Sequence, residues 1–178
     1  MVQDDDTVLV QRSLEGDRNA FGVLVEKYQK PMFNVALRIV HDYQDASDVT
    51  QAAFIDAYEN LKRFDPRYRF YSWLYKITVN GCLNLVGRRQ RFVGLNEEMV
   101  SVDKQPDELY SEKDTASIVE KALMRLSPEY RVVIVLNHFQ DLSYKEISDV
   151  LSIPEKTVKS RLFTARQLLK DFLIRRGA

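Results

Sequence analysis

The chain has 178 residues, 45% hydrophobic and 29% charged, an ordinary globular balance that excludes a disordered or fibrous polymer. A single cysteine, Cys82, excludes an internal disulfide and fits a reducing compartment, with a small packed thiol as its plain role. No run of about 18 apolar residues predicts a membrane span, and the acidic start Met1–Asp6 is unlike a secretory signal.

The net charge is zero, with 26 basic and 26 acidic side chains, yet the charges are strongly segregated. Residues 1–60 carry 5 basic and 11 acidic groups, and residues 61–92 carry 8 and 1. Residues 93–115 carry 2 and 7, residues 116–154 carry 4 and 5, and residues 155–178 carry 7 and 2. Two basic blocks are therefore separated by an acidic one, and electrostatic binding follows local patches rather than the total.

The chain reads as helical throughout. Asp17 is placed to cap a helix with Phe21, Leu24, Val25 and Tyr28 on one face. Pro31 is expected to bend or restart that helix before Val35, Ala36, Ile39 and Val40 continue the stripe. A second helix is expected from about Asp45, with Ala46, Val49, Ala53 and Ala57 inward. Phe64-Asp65-Pro66 breaks the pattern. A third helical segment runs from about Phe70 through Trp73, Leu74, Ile77 and Leu83 to the basic run Arg88-Arg89-Gln90-Arg91. Residues 93–115, with Gly94, Pro106, scattered acids and few apolar residues, read as a linker. Periodicity resumes at Ile118, Val119, Ala122, Leu123 and Leu126. Ser127-Pro128 then predicts a fresh start, serine as N-cap and proline at the first helical position.

Ser143-Tyr144-Lys145-Glu146 has the form of a capping box opening a short helix with Ile147, Val150 and Leu151 inward. The turn Ser152-Ile153-Pro154 follows. The next helix carries Val158, Leu162, Ala165, Leu169 and Phe172 as a buried stripe. Lys156, Thr157, Lys159, Ser160, Arg161 and Arg166 lie between these positions. A short helix, a tight turn and a longer helix with a basic N-terminal face make a helix-turn-helix, which sets the start of its second helix in the DNA major groove. Arginine reads guanine bidentately there, while lysine and serine contact phosphates.

Upstream, Arg63, Arg67, Arg69 and Lys76 interleave with Phe64, Tyr68, Phe70, Tyr71, Trp73 and Tyr75. That mixture suits single-stranded DNA, with cations on phosphates and rings stacking or wedging bases. Trp73, Leu74 and Ile77 fall at core spacing, so Trp73 is expected to pack rather than stack.

The C-terminal motifs, from Leu126-Ser127-Pro128-Glu129-Tyr130-Arg131 through Leu142–Ile147 to Ile153–Leu162 and Ala165-Arg166, resemble the −35-reading domain of extracytoplasmic-function (ECF) sigma factors. That family usually has glycine where this chain has Ser152 and Lys156, which predicts some backbone strain at Ser152. Gly16–Phe21 and Asp45-Ala46-Ser47-Asp48-Val49-Thr50-Gln51 resemble the family's other domain, and the latter resembles the helix that grips the coiled coil of the polymerase's largest subunit. The resemblance implies Asp45, Asp48 and Gln51 as polymerase contacts. Trp73–Ile77 with Asn80 resembles the element that melts the −10 region. It implies a −10 surface of Phe64, Arg67, Tyr68, Arg69, Phe70, Tyr71, Lys76, Asn80, Asn84, Arg88 and Arg89.

The expectation is an all-α chain of two small helical domains, 1–92 and 116–178, joined by a flexible acidic linker over 93–115, the second domain containing the helix-turn-helix. The resemblance implies a bacterial cytoplasmic sigma factor that binds core RNA polymerase and promoter DNA. It also implies control by an anti-sigma factor, through which the chain is held at the inner membrane. No metal-ligand cluster, phosphate loop or nucleophile–base set stands out, and His41 and His138 are far apart, so neither an enzyme nor a cofactor is expected. Two rivals remain: a stand-alone dimeric regulator reading a palindrome, and an interaction protein that borrows the fold to bind a regulator.

Overall fold

The computed structural model describes residues 5–96 and 115–175, and every regular element among them is helical. Helices α1 (Asp5–Leu14), α2 (Arg18–Val40), α3 (Tyr43–Glu59) and α4 (Phe70–Asn96) form a first bundle, with a 3₁₀ turn at Leu61–Arg63. Helices α5 (Thr115–Met124), α6 (Pro128–Ile134), α7 (Tyr144–Leu151) and α8 (Glu155–Arg175) form a second, α6 running on into a wider π-type turn at Val135–Phe139. Of the acidic linker, residues 97–114 lie outside the described residues.

The cap at Asp17 forms as the sequence requires: its carboxylate accepts from the amides of Asn19 (3.0 Å) and Ala20 (3.2 Å). A hydrogen bond from Arg12, with those amides, holds the carboxyl below the usual range. Two expectations change. Helix α2 passes unbroken through Pro31, because Met32, Val35 and Ala36 beyond it and Leu24 before it are all fully buried. Proline removes one backbone bond. Burying Leu24, Met32 and Val35 contributes about 1.5–3 kcal/mol each, which together outweighs that loss. Helix α3 starts two residues early, at Tyr43, because Asp42 caps it by accepting from the Asp45 amide.

Ser127 precedes α6, but its hydroxyl makes no capping bond; its carbonyl instead accepts from the amides of Tyr130 and Arg131. Helix α1, which the periodicity does not reveal, is pinned by buried Asp6, which takes Lys27 Nζ at 2.6 Å and the Tyr28 hydroxyl. Cys82 is wholly buried, and burial pushes its thiol up to about 12, in line with a packing role.

The two bundles are packed together, α4 against α7 and α2 against α5, α6 and the π-type turn. Arg131 of α6 is at the centre of this contact. It is 5% exposed and donates to the carbonyls of Leu123 (3.1 Å), Met124 (3.2 Å) and Leu126 (3.0 Å) at the end of α5. Its fourth bond, at 2.6 Å, reaches Ile39 O near the end of α2. Burial disfavours its charge, and the negative ends of two helix dipoles offset that cost. Nearby, the Arg38 guanidinium lies 4.3 Å from the Phe139 ring and 3.6 Å from Glu120. Arg131→Met is expected to destabilise the chain by about 3 kcal/mol in urea unfolding, since several buried carbonyls lose their donor at once. A loss below about 1 kcal/mol would show that water replaces the guanidinium.

Candidate nucleic-acid interface

The helix-turn-helix is built as its sequence dictates. Ser143 Oγ accepts from the Glu146 amide at 3.2 Å, while Glu146 accepts from the Ser143 amide at 2.9 Å, completing the capping box. Ile147 and Val150 of α7 are buried against Val158, Leu162 and Ala165 of α8. Ser152 ends α7 in the left-handed region, φ 53° and ψ 43°, the conformation that favours glycine. Lys156, Lys159, Ser160 and Arg166 are exposed on α8, while Thr157 and Arg161 are half-buried.

Arg161 lies 3.8 Å from Glu129. Arg166 is committed to the end of the preceding turn, donating to Asn137 Oδ1 (2.9 Å) and His138 Nε2 (3.2 Å). Accepting that bond requires the neutral imidazole with its proton on Nδ1.

The aromatic-basic segment divides. Tyr68 is exposed, and Arg67 folds back on Asp65, at 2.6 Å, a hydrogen bond that holds the Asp65 carboxyl low. Phe70 is a correction to the expected base pocket: it is only 2% exposed, with ring contacts to Tyr28, Phe64 and Trp73 at 5.8–6.0 Å. A ring at the start of α4 that faces α2 serves the core, not a base. Trp73 packs in the same cluster, 5.4 Å from Phe64, as its spacing predicts.

Helix α4 presents two faces. On one, Asn80, Asn84 and Arg88 share a groove of about 500 Å³ with Asp48, Val49 and Ala52 of α3. Gly81 permits this approach, since a Cβ there would meet Val49 Cγ1 at 3.1 Å. Asp48 and Gln51 are exposed on α3, whereas Asp45 is half-buried and ion-paired with Arg89. A predicted polymerase contact and a predicted DNA contact thus neutralise each other. On the other face, Tyr71, Tyr75 and Lys76, with Arg69 just before the helix, meet the helix-turn-helix. Tyr71 donates to Glu146, and Tyr75 Oη donates to Gln140 Oε1 at 2.7 Å. Lys76 Nζ donates to Ser152 Oγ at 2.8 Å, and Arg69 lies 3.9 Å from Glu146.

Sequence periodicity misses these hydrogen-bonded pairs, Tyr71–Glu146, Tyr75–Gln140 and Lys76–Ser152, which join residues 65 to 76 positions apart. Glu146 reads as a local cap, and nothing in its spacing marks the second partner.

The sigma-70 region 2 family matches residues 24–92, the bundle with the α3–α4 groove, and the sigma-70 region 4 family matches residues 116–169, the bundle with the helix-turn-helix. The chain is 35% identical to the RNA polymerase sigma-H factor of Pseudomonas aeruginosa, over 97% of this chain and 96% of that one. It is 34% identical to the ECF RNA polymerase sigma-E factor of Escherichia coli K12, covering 93% of each. The chain belongs to the ECF sigma factors. Among solved structures, CnrH in complex with the cytosolic domain of CnrY is similar with a TM-score of 0.74 and 27% identity, over 97% of this chain and 99% of that one. A sigma factor binds core RNA polymerase and directs it to promoters; it is an initiation factor, and catalysis belongs to the polymerase.

Glu146 ties this sigma factor's α7 cap to the contact with Tyr71. Partial burial alone would raise its carboxyl, but hydrogen bonds from Tyr71 and Ser143 and the charge of Arg69 outweigh it and hold the group below its ordinary 4.5. A depressed folded value contributes stability that is fully present above the ordinary value and is lost as pH falls through the folded one. Wild type is therefore expected to melt higher than Glu146→Gln at about pH 6, the gap closing towards about pH 3. Circular-dichroism melts across that range test it, and a pH-independent gap rules it out.

Proposed function

We propose that the α3–α4 bundle of this sigma factor grips core polymerase and opens the −10 element, while α8 reads the −35 element. The observation that carries this reading is α8 itself: Lys156, Lys159 and Ser160 stand exposed on its first turns above the fully buried Val158 and Leu162. Such a face enters a major groove without disturbing the core beneath it. Tyr68 and Arg69 just before α4, and Tyr71 and Lys76 on it, supply rings and cations for the melted strand, with Asn80, Asn84, Arg88 and Arg89 along the same helix.

Asp48 and Gln51 are the exposed members of the polymerase-binding trio. We assign Asp45 a different task, as the internal partner of Arg89. Control by an anti-sigma factor, and retention at the inner membrane of a cytoplasmic protein, follow from the family resemblance and from the likeness to CnrH, which is seen with the cytosolic domain of CnrY. Among the described residues no helix is long and apolar enough to cross a membrane.

The direct test is run-off transcription with purified core polymerase on genomic promoter fragments, with and without this protein. Promoter-specific transcripts that require it are expected. Binding of DNA as a dimer without polymerase, and no transcripts, would instead support the stand-alone regulator. Arg161→Ala is expected to weaken use of the native promoter by about 1–3 kcal/mol, and to lose nothing further once the −35 sequence is scrambled. An equal loss on both templates removes Arg161 from base reading. Asp45→Ala is expected to leave core affinity within about twofold and to tighten fork-junction DNA binding about twofold to fivefold, by freeing Arg89. A large drop in core affinity, measured by fluorescence titration, returns Asp45 to the polymerase contact.

A further inference from the structure

Arg166 stands apart from the other cations of α8. It is exposed, yet one edge of its guanidinium is held within the chain. Nε donates to His138 Nε2 at 3.2 Å, and Nη2 donates to Asn137 Oδ1 at 2.9 Å. The two acceptors are consecutive residues of the π-type turn Val135–Phe139, and such irregular turns recur at functional sites. The Asn137 amide is itself fixed, because its Nδ2 donates to Leu142 O at 3.0 Å. The turn thus aims two aligned acceptors at a single arginine.

A guanidinium carries five donors in a rigid fork. The turn occupies the side edge, Nε with Nη2. The end edge, Nη1 with the second proton of Nη2, has no partner among the described residues. That edge fits a phosphate bidentately. Its holders are uncharged while the imidazole is neutral, so Arg166 keeps its whole charge for DNA. Arg161, across the buried stripe of the same helix, instead lies 3.8 Å from the Glu129 carboxylate. Arg166 is about two turns beyond Lys159 and shares its flank of α8. Lys159 rests in the same manner on the element in front, 6.0 Å from the Tyr144 ring of α7.

The hold depends on one proton. Neutral imidazole accepts at Nε2, whereas imidazolium is a donor at both nitrogens and repels a guanidinium. Histidine makes that change within the physiological range. Helices α2, α6 and α7 pack on the turn, as Arg166 of α8 does. Of their charged groups, Arg38 is engaged with Glu120 and the Phe139 ring, Arg131 with backbone carbonyls, and Glu146 with Tyr71 and Ser143. Among the described residues no carboxylate, Asp141 after the turn included, is bonded to His138 to favour its charged form.

We infer that Asn137 and His138 are positioning residues for the −35 contact. They hold the side edge of Arg166 so that its free edge meets a promoter phosphate, and His138 holds it only while neutral. The inference rests on the −35 reading of α8 above.

The test uses the full chain bound to core polymerase, as wild type, His138→Ala and His138→Gln, each with and without Arg166→Ala. Glutamine sets an amide oxygen close to where Nε2 stands and accepts at any pH. Affinity for a labelled duplex carrying a promoter mapped by run-off transcription is measured by anisotropy at about pH 8 and about pH 6, either side of the histidine range. The readout is the benefit of Arg166, the ratio of affinities between each chain and its Arg166→Ala counterpart. That ratio cancels the pull of a charged imidazole on DNA and the pH response of the polymerase. At the higher pH the wild-type benefit is expected to be about threefold to tenfold, reduced about twofold or more by His138→Ala and kept by His138→Gln. At the lower pH the wild-type benefit is expected to fall to that of His138→Ala, while His138→Gln keeps its own. A benefit that survives His138→Ala, or that does not change with pH in wild type, would overturn the positioning role. So would a wild-type ratio near one. A scrambled −35 sequence separates the two readings. Unchanged wild-type affinity on the scramble defeats the −35 reading itself; a loss there, with an Arg166 benefit indifferent to His138, defeats the positioning role alone.

Discussion

The position of the second bundle depends on one buried cation. Arg131 ties the end of α5 to the start of α6 through three carbonyls and reaches the end of α2 through a fourth. A buried charge is tolerated only where its donors are satisfied, and here backbone carbonyls at two helix ends satisfy them. The consequence is positional. Because those carbonyls are fixed by their helices, the guanidinium sets where α6 lies on α2, and α8 and α7 follow, since α8 packs on α6 and α7 on α8. A carboxylate partner, on a flexible stem, would set the position less tightly.

What was legible in the sequence was local. The Asp17 cap, the Ser143–Glu146 capping box and the Val158, Leu162, Ala165 stripe rest on residues within one or two turns of one another, and each forms as its spacing requires. The family motifs placed α3, α4 and the helix-turn-helix correctly for the same reason. The failures are non-local. Phe70 reads as one more exposed ring until α2 is laid against it, and Pro31 reads as a break until its neighbours are seen to be buried. Tyr75 reads as one more ring of the aromatic-basic segment, and nothing local marks its partner, yet burial raises its hydroxyl to about 12 and leaves it a firm donor to Gln140. Single-sequence reasoning sees the period of a helix, not which element will occupy its outer face.

Helix α4 is where these limits matter most. It is one unbroken element of 27 residues, with the groove shared with α3 on one face and the helix-turn-helix on the other. The stripe of Lys76, Asn80, Asn84 and Arg88 looks like a single path in sequence. Lys76, the first of them, reaches Ser152 with its Nζ, while the other three line the groove with α3. Gly81 fixes how close α3 stands to that groove.

Most of the arginines assigned to DNA already hold an acid: Arg67 with Asp65, Arg69 with Glu146, Arg89 with Asp45 and Arg161 with Glu129. Each carboxylate acts as a built-in counterion. An arginine that moved from its carboxylate to a phosphate would exchange one anionic partner for another, so its net electrostatic gain would be smaller than that of an arginine with no acid beside it.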